Sequence, residues 1–357
     1  MTRAWFAILA VVVACSAWID VLVLRGVMRG WPEFPTDFVT FWTAGKVPWP
    51  TVYDVAELTR LQMWAGFKET AIRPFAYPPT FLFLLNPLGR LQLLPALLIW
   101  LSVGISLYAL ACWRLIGKAW PLALLSPAVA CAAATGQVTF LVGAGLIMGV
   151  LWLPARPILA GVVFGALATV KPQAVVLVPL ALVVGRHWRA GGASLVSGAL
   201  IGLASLAVHK GLWVEWLGSL SEFNAIIEGE WWVATIGVTP KIAAKALGLG
   251  GAWQLAFLVA GAVSAVLLVV MAFRKDDPIM RYGALSAGFL LISPYALWYE
   301  LAMLQPVAAS FLLSRSWPQR GAGLVVYSLF AKWAAPMALA AALAGRGFRK
   351  ETTEFLN

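Results

Sequence analysis

Apolar runs of membrane length recur along this chain, and no other feature limits its fold as much. The first covers Trp5 to Leu24, and others fall at Leu93 to Trp113 and up to Phe273. About 20 such residues cross a bilayer as a helix. Within lipid, only helices and closed barrels satisfy their own backbone, and the alternating short strands of a barrel are absent. With 62% hydrophobic and 11% charged residues, the chain is expected to be an all-α polytopic membrane protein. Residues 1–345 read as a single integral-membrane domain and 346–357 as a polar tail. Nineteen Trp fit long contact with the membrane–water interface.

The net charge is +11, but the Lys and Arg lie in short loops between apolar runs. That is how membrane topology is encoded, so no nucleic-acid partner is expected. Cys15, Cys112 and Cys131 all sit inside apolar runs and read as small buried hydrophobes. His187 and His209 are isolated, so no metal site is expected from them. There is no Walker motif, Gly-x-Gly-x-x-Gly run or Asp-x-Asp pair, which removes the usual support for a nucleotide site.

Charge parity orders the crossings. A short basic N-terminus stays in the cytoplasm, so the chain emerges outside after Leu24. Residues 25–91 then form a large first periplasmic loop. Within it Phe81 to Leu88 is apolar but only about half a span long, and is expected as an interfacial or re-entrant helix. Further crossings are expected at Leu93–Trp113, Pro121–Ala134, Val138–Leu153, Ile158–Val170, Ala174–Gly185 and Ala193–Val208. A second periplasmic loop follows at 210–250, then spans ending near Phe273, at Gly283–Ile292 and at Leu297–Leu313. Several are shorter than a full span and must be short, tilted or broken. The last run, Gly323–Ala344, breaks the parity; a crossing hidden in 233–250 or a bent hairpin around Lys332-Trp333 restores it. The total is about ten to twelve helices.

On this scheme Asp37, Tyr77, Gln137, Lys171, Gln173 and Tyr295 share the outer face, and polar groups converging from separate helix ends define one cavity. Asp37 lies among aromatics in Asp37-Phe38-Val39-Thr40-Phe41-Trp42. It reads either as a general base or as a helix cap at headgroup level. Lys171, before Pro172, reads as a phosphate-holding cation or a snorkelling lysine. Arg73-Pro74-Phe75-Ala76-Tyr77-Pro78-Pro79 reads as a phosphate-lining groove or an interfacial anchor. Glu300 stands about one turn into an apolar run and needs a partner.

Taken together these motifs resemble glycosyltransferase family 87, the DUF2029 group of GT-C enzymes. The resemblance rests on Asp37 with Phe41-Trp42-x-Ala44-Gly45, Val52-Tyr53-Asp54, Tyr77-Pro78-Pro79 with Asn86-Pro87-Leu88, Gly136-Gln137, Ala160-Gly161 with Lys171-Pro172-Gln173, and Ser293-Pro294-Tyr295. After Ser293-Pro294 the family's Trp-Asp-His-His-like segment is replaced by Tyr295-Ala296-Leu297-Trp298-Tyr299-Glu300. The resemblance implies a GT-C-type fold and transfer of a mannose-like hexose, with inversion, from a polyprenyl-phosphate donor. The acceptor would be a lipid or envelope glycan at the periplasmic face of the bacterial inner membrane. It implies Asp37 as catalytic base. Lys171 and Arg73 are then the candidate donor-phosphate ligands, and Tyr77, Gln137, Gln173, Tyr295, Tyr299 and Glu300 the sugar pocket. No cofactor is required, since the leaving group carries one phosphate; a divalent metal is left open. The rival is a transporter or lipid flippase, which calls for inverted repeats and midplane polar groups. No clear repeat is present, and the polar motifs gather at helix ends.

Overall fold

The computed structural model describes residues 3–30, 36–68, 74–229, 231–328 and 332–348. In chain order α1 is Arg3–Arg29, α2 Thr36–Ala44, α3 Val55–Trp64, α4 Leu82–Gly89 and α5 Leu93–Ile116. Then come α6 Trp120–Leu124, α7 Pro127–Thr135, α8 Thr139–Trp152, α9 Pro157–Val170, α10 Val178–Val184 and α11 Trp188–Val208. The remainder are α12 Leu212–Gly229, α13 Trp231–Ile236, α14 Pro240–Ala246, α15 Gly251–Phe273, α16 Pro278–Ile292, α17 Gln305–Leu312, α18 Trp317–Tyr327 and α19 Ala334–Phe348. Among the described residues the one extended pairing is an isolated bridge between Gly237 and Leu297.

Among the described residues, four helical stretches are long and apolar enough to cross a membrane: Arg3–Arg29, Leu93–Leu124, Trp188–Val208 and Gly251–Phe273. Thr139–Trp152, Pro157–Val170, Pro172–Val184, Pro278–Ile292 and Ala334–Arg346 are apolar but shorter.

Local chemistry explains where the helices break. The expected crossing Pro121–Ala134 is split because Ser126 caps α7, accepting from the Val129 amide at 3.3 Å, with Pro127 in the first turn. Pro and Ser there favour a new helix start over continuation. The run Gly323–Ala344 falls in two helices: α18 and α19 pack on each other, and Lys332, between them, has φ 41°. Region 210–250 is largely helical, and Thr239 and Pro240 start α14.

The expected helix Leu297–Leu313 departs most. Trp298–Leu304 is a 3-10 helix and α17 begins only at Gln305. Seven residues is long for this tighter helix, and it is buried from Tyr299 through Leu304. Its carbonyls bond to amides three residues on, as Ala302 O does to the Gln305 amide, and several gain a side-chain donor as well. The Tyr108 hydroxyl donates to Ala302 O at 2.5 Å and Tyr282 to Met303 O at 2.6 Å. Gln305 Nε2 donates to Leu301 O at 3.1 Å and to Val326 O at 3.2 Å.

Helix α2 is clamped to α4 at their C-terminal ends. A Cβ on Gly45 would stand 2.2 Å from Leu85 O, and one on Gly89 2.3 Å from the Gly45 carbonyl. Only glycine admits backbones this close. Around this contact Trp42 Nε1 donates to Leu91 O at 3.0 Å and Lys46 Nζ to Gly89 O at 3.1 Å. Neither backbone can yield, so Gly45→Ala is expected to cost about 1–3 kcal/mol of stability. Gly26→Ala, inside α1 where a Cβ meets nothing within 4 Å, should be neutral to slightly stabilising. Thermal denaturation of the detergent-purified protein checks both, and an unshifted midpoint for Gly45→Ala would refute the backbone contact.

Candidate active site

Asp37 lies in the first turn of α2 and is half-buried. The positive end of a helix dipole favours a carboxylate there, and the Thr36 hydroxyl approaches Asp37 Oδ2 at 3.4 Å. Below it the helix buries an aromatic face. The Phe41 ring lies 5.1 Å from Tyr77, 5.3 Å from Phe81 and 5.9 Å from Trp100, each edge-on.

The segment Pro74–Pro79 is held from both sides. The Tyr53 hydroxyl donates to Tyr77 O at 2.8 Å, and Trp216 Nε1 to Ala76 O at 3.1 Å. Neighbouring Asp54 caps α3 through the Ala56 and Glu57 amides at 2.9 and 3.2 Å. Past the prolines, the Thr80 hydroxyl donates to the Thr169 carbonyl at the end of α9. This ties the Tyr77 segment to the lysine that follows.

Lys171 ends α9 because Pro172 bars continuation. Its ammonium forms an ion pair with Glu300 Oε1, and both side chains are 4% exposed. The second Glu300 oxygen accepts from the Thr139 hydroxyl, at the start of α8, at 3.0 Å. The ammonium also lies 5.8 Å from the centre of the Phe289 ring. The acid expected to need a partner thus has one, and it is the lysine expected to hold phosphate.

The tyrosines close the cluster. Burial pushes the Tyr77 hydroxyl well above the usual tyrosine range, and the Glu300 and Asp37 carboxylates, then Tyr295, push the same way. Tyr299 is in electrostatic reach of Asp37, Tyr295, Glu300 and Tyr77. The structure therefore joins Asp37, Tyr77, Tyr295, Tyr299, Glu300 and Lys171 in one polar centre. Tyr295 is half-buried, with its ring 6.3 Å from Phe223.

Gln137 borders this centre, two residues before Thr139. Gly136 at φ 68° ends α7 in the left-handed conformation, and its carbonyl accepts from Trp100 Nε1 at 2.9 Å. The Gln137 side chain is 2% exposed, and its Oε1 has no hydrogen-bond partner among the described residues. A buried amide oxygen left so calls for a hydroxyl or amide donor. Gln173 is exposed on the 3-10 turn Pro172–Val175 and is not brought into the buried set. Arg73 lies outside the described residues.

Sequence reasoning missed two supporting groups, Thr139 and Thr80, and a further acid, Asp20. Thr139 and Thr80 look like ordinary residues near helix starts, and only their long-range partners reveal them. Asp20 was legible: it is an acid within the first apolar run, the situation that marks functional positions. In the structure its Oδ1 is buried without a hydrogen-bond partner among the described residues.

Membrane-length helices together with a partly buried cluster of acids, tyrosines and a lysine define a helical membrane protein. A model of glycosyltransferase family 87 matches residues 75–294, well over half of the chain, and the chain belongs to that family. It is therefore a glycosyltransferase. The matched region includes Tyr77, Gln137, Lys171 and Gln173; Asp37, Arg73, Tyr295, Tyr299 and Glu300 stand outside it. No curated protein and no solved structure matches the chain.

Removing one member of a buried ion pair leaves an uncompensated charge and costs about 3–5 kcal/mol, whereas replacing both by apolar groups costs far less. Lys171→Met and Glu300→Met should each destabilise by that amount, and the double variant much less. Thermal melts of the three proteins measure the coupling, and strictly additive losses would show that the pair does not interact.

Proposed function

We propose that the chain transfers a mannose-like hexose from a polyprenyl-phosphate donor to a lipid or glycan acceptor at the periplasmic face of the bacterial inner membrane. The carrying observation is the polar centre: a half-buried carboxylate at the start of α2 within electrostatic reach of Tyr77 and Tyr299, which also feel the Glu300 carboxylate paired with buried Lys171. Asp37 takes the proton of the acceptor hydroxyl. That oxygen bonds to the anomeric carbon as the bond from this carbon to the phosphate oxygen breaks, and the electron pair leaves on the lipid phosphate. Attack opposite the leaving group inverts the centre.

Lys171, with Arg73, is the proposed cation for the charge developing on the phosphate. Glu300 holds Lys171 until donor binds, and sharing its ammonium between carboxylate and phosphate needs only a small shift of a flexible side chain. Gln137 Oε1 is placed to accept from a sugar hydroxyl. Tyr77, Tyr295 and Tyr299 bound the sugar, with Gln173 at the outer edge. A donor carried by lipid suits a site set among apolar helices, and the family assignment supports sugar transfer.

A well-placed general base contributes about 10²–10⁴-fold. Asp37→Asn should therefore lower sugar transfer from synthetic polyprenyl-phosphate sugars by that factor while the thermal midpoint stays close to wild type. Equal turnover by both proteins would remove Asp37 from the mechanism. Movement of an unmodified lipid or solute by wild type, with no transfer, would overturn the reading.

A further inference from the structure

A second polar site lies at the other end of α2. The C-terminal ends of α2, α3 and α4 meet the start of α5 around an open cavity of about 330 Å³. Trp42, Lys46, Trp64, Arg90 and Gln92 supply its side chains with polar or aromatic character, and no lining residue is acidic. Lys46 uses one donor on Gly89 O at 3.1 Å and sits 4.6 Å over the Trp42 ring. An ammonium has three donors, so two remain for a ligand. Arg90 is exposed at the cavity wall. The positive end of the 24-residue α5 also opens here, and Gln92 makes no side-chain cap to it.

The α5 N-terminus is set against the carbonyl ends of α2, α3 and α4, so the two cations carry the attraction for a phosphate. The surroundings fit a lipid rather than a free ion. Trp64 is 71% exposed, and indole rings favour the headgroup level of a bilayer. Directly beyond the cavity, Leu94 and Leu98 stand one turn apart on α5 and are 50% and 56% exposed, a strip that an acyl chain can cover.

The geometry points to a seat for an anionic membrane phospholipid at this corner, distinct from the reacting centre. From Asp37 to the C-terminal end of α2 is at least about 10 Å along the helix axis, so this corner and the proposed base stand at opposite ends of α2. A phosphate held by Lys46 and Arg90 uses other cations than the Lys171 proposed for the leaving group. It braces the α2–α4 clamp, which in turn positions Asp37. The site stands on its own geometry, independent of the chemistry proposed for Asp37.

Native mass spectrometry of the full-length protein, delipidated in detergent and titrated with single lipids, tests this. Phosphatidylglycerol should bind at least tenfold more tightly to wild type than to Lys46→Gln/Arg90→Gln. Lys46→Arg/Arg90→Lys should restore binding, and Arg114→Gln, on the far end of α5, should leave it intact. Phosphatidylcholine, with the same tails and no net charge, should bind weakly, and inorganic phosphate should not compete at equal concentration. Equal phosphatidylglycerol affinity in the double Gln variant would overturn the site. So would equal binding of phosphatidylcholine, or full competition by inorganic phosphate. Binding of polyprenyl phosphate in place of phosphatidylglycerol would overturn the assigned occupant.

Discussion

The ion pair between Lys171 and Glu300 is the constraint on which the site depends. Both groups lie inside a bundle of apolar helices, where neither charge can be left alone. Each solves the other's problem, and Thr139 occupies the remaining carboxylate oxygen. Three separate pieces of chain are drawn to one point: the end of α9, the start of α8 and the 3-10 helix before α17. Such a pair is weak evidence for stability, since apolar groups would pack as well. Its meaning is positional, because it fixes a cation and an acid beside the tyrosines.

The 3-10 helix carrying Tyr299 and Glu300 shows the accommodation this needs. Its carbonyls take additional side-chain bonds from Tyr108, Tyr282 and Gln305. An α-helix would present Tyr299 and Glu300 with a different pitch. The bundle thus supplies hydrogen bonds to hold an irregular backbone exactly where the polar side chains emerge from it.

Asp37 reaches the same centre by another route. The Gly45–Gly89 contact and the aromatic face of Phe41 hold α2, while Tyr53 and Trp216 hold the Tyr77 segment. The region matching family 87 begins at residue 75, after Asp37. Electrostatic reach to Tyr77 and Tyr299, rather than the family match, connects this acid to the centre.

The helical membrane class was legible in the apolar runs alone, because a backbone in lipid has so few options. Proline also exposed the end of α9, whereas Pro121–Ala134 read as one crossing and the break at Ser126-Pro127 emerged only in the structure. The need of Glu300 for a partner was readable from its apolar surroundings. Its partner was not: Lys171 is 129 residues away, and nothing local couples the two. Lys171 read from its neighbours as free to meet phosphate, and Leu297–Leu313 read as one helix. Gln173 stood beside Lys171 in sequence yet faces outward, because a turn after Pro172 sends adjacent side chains different ways. Local pattern determines which segments are helical and which residues are too polar to be idle. Tertiary packing alone decides which of those residues meet, because charge compensation and carbonyl satisfaction act through space.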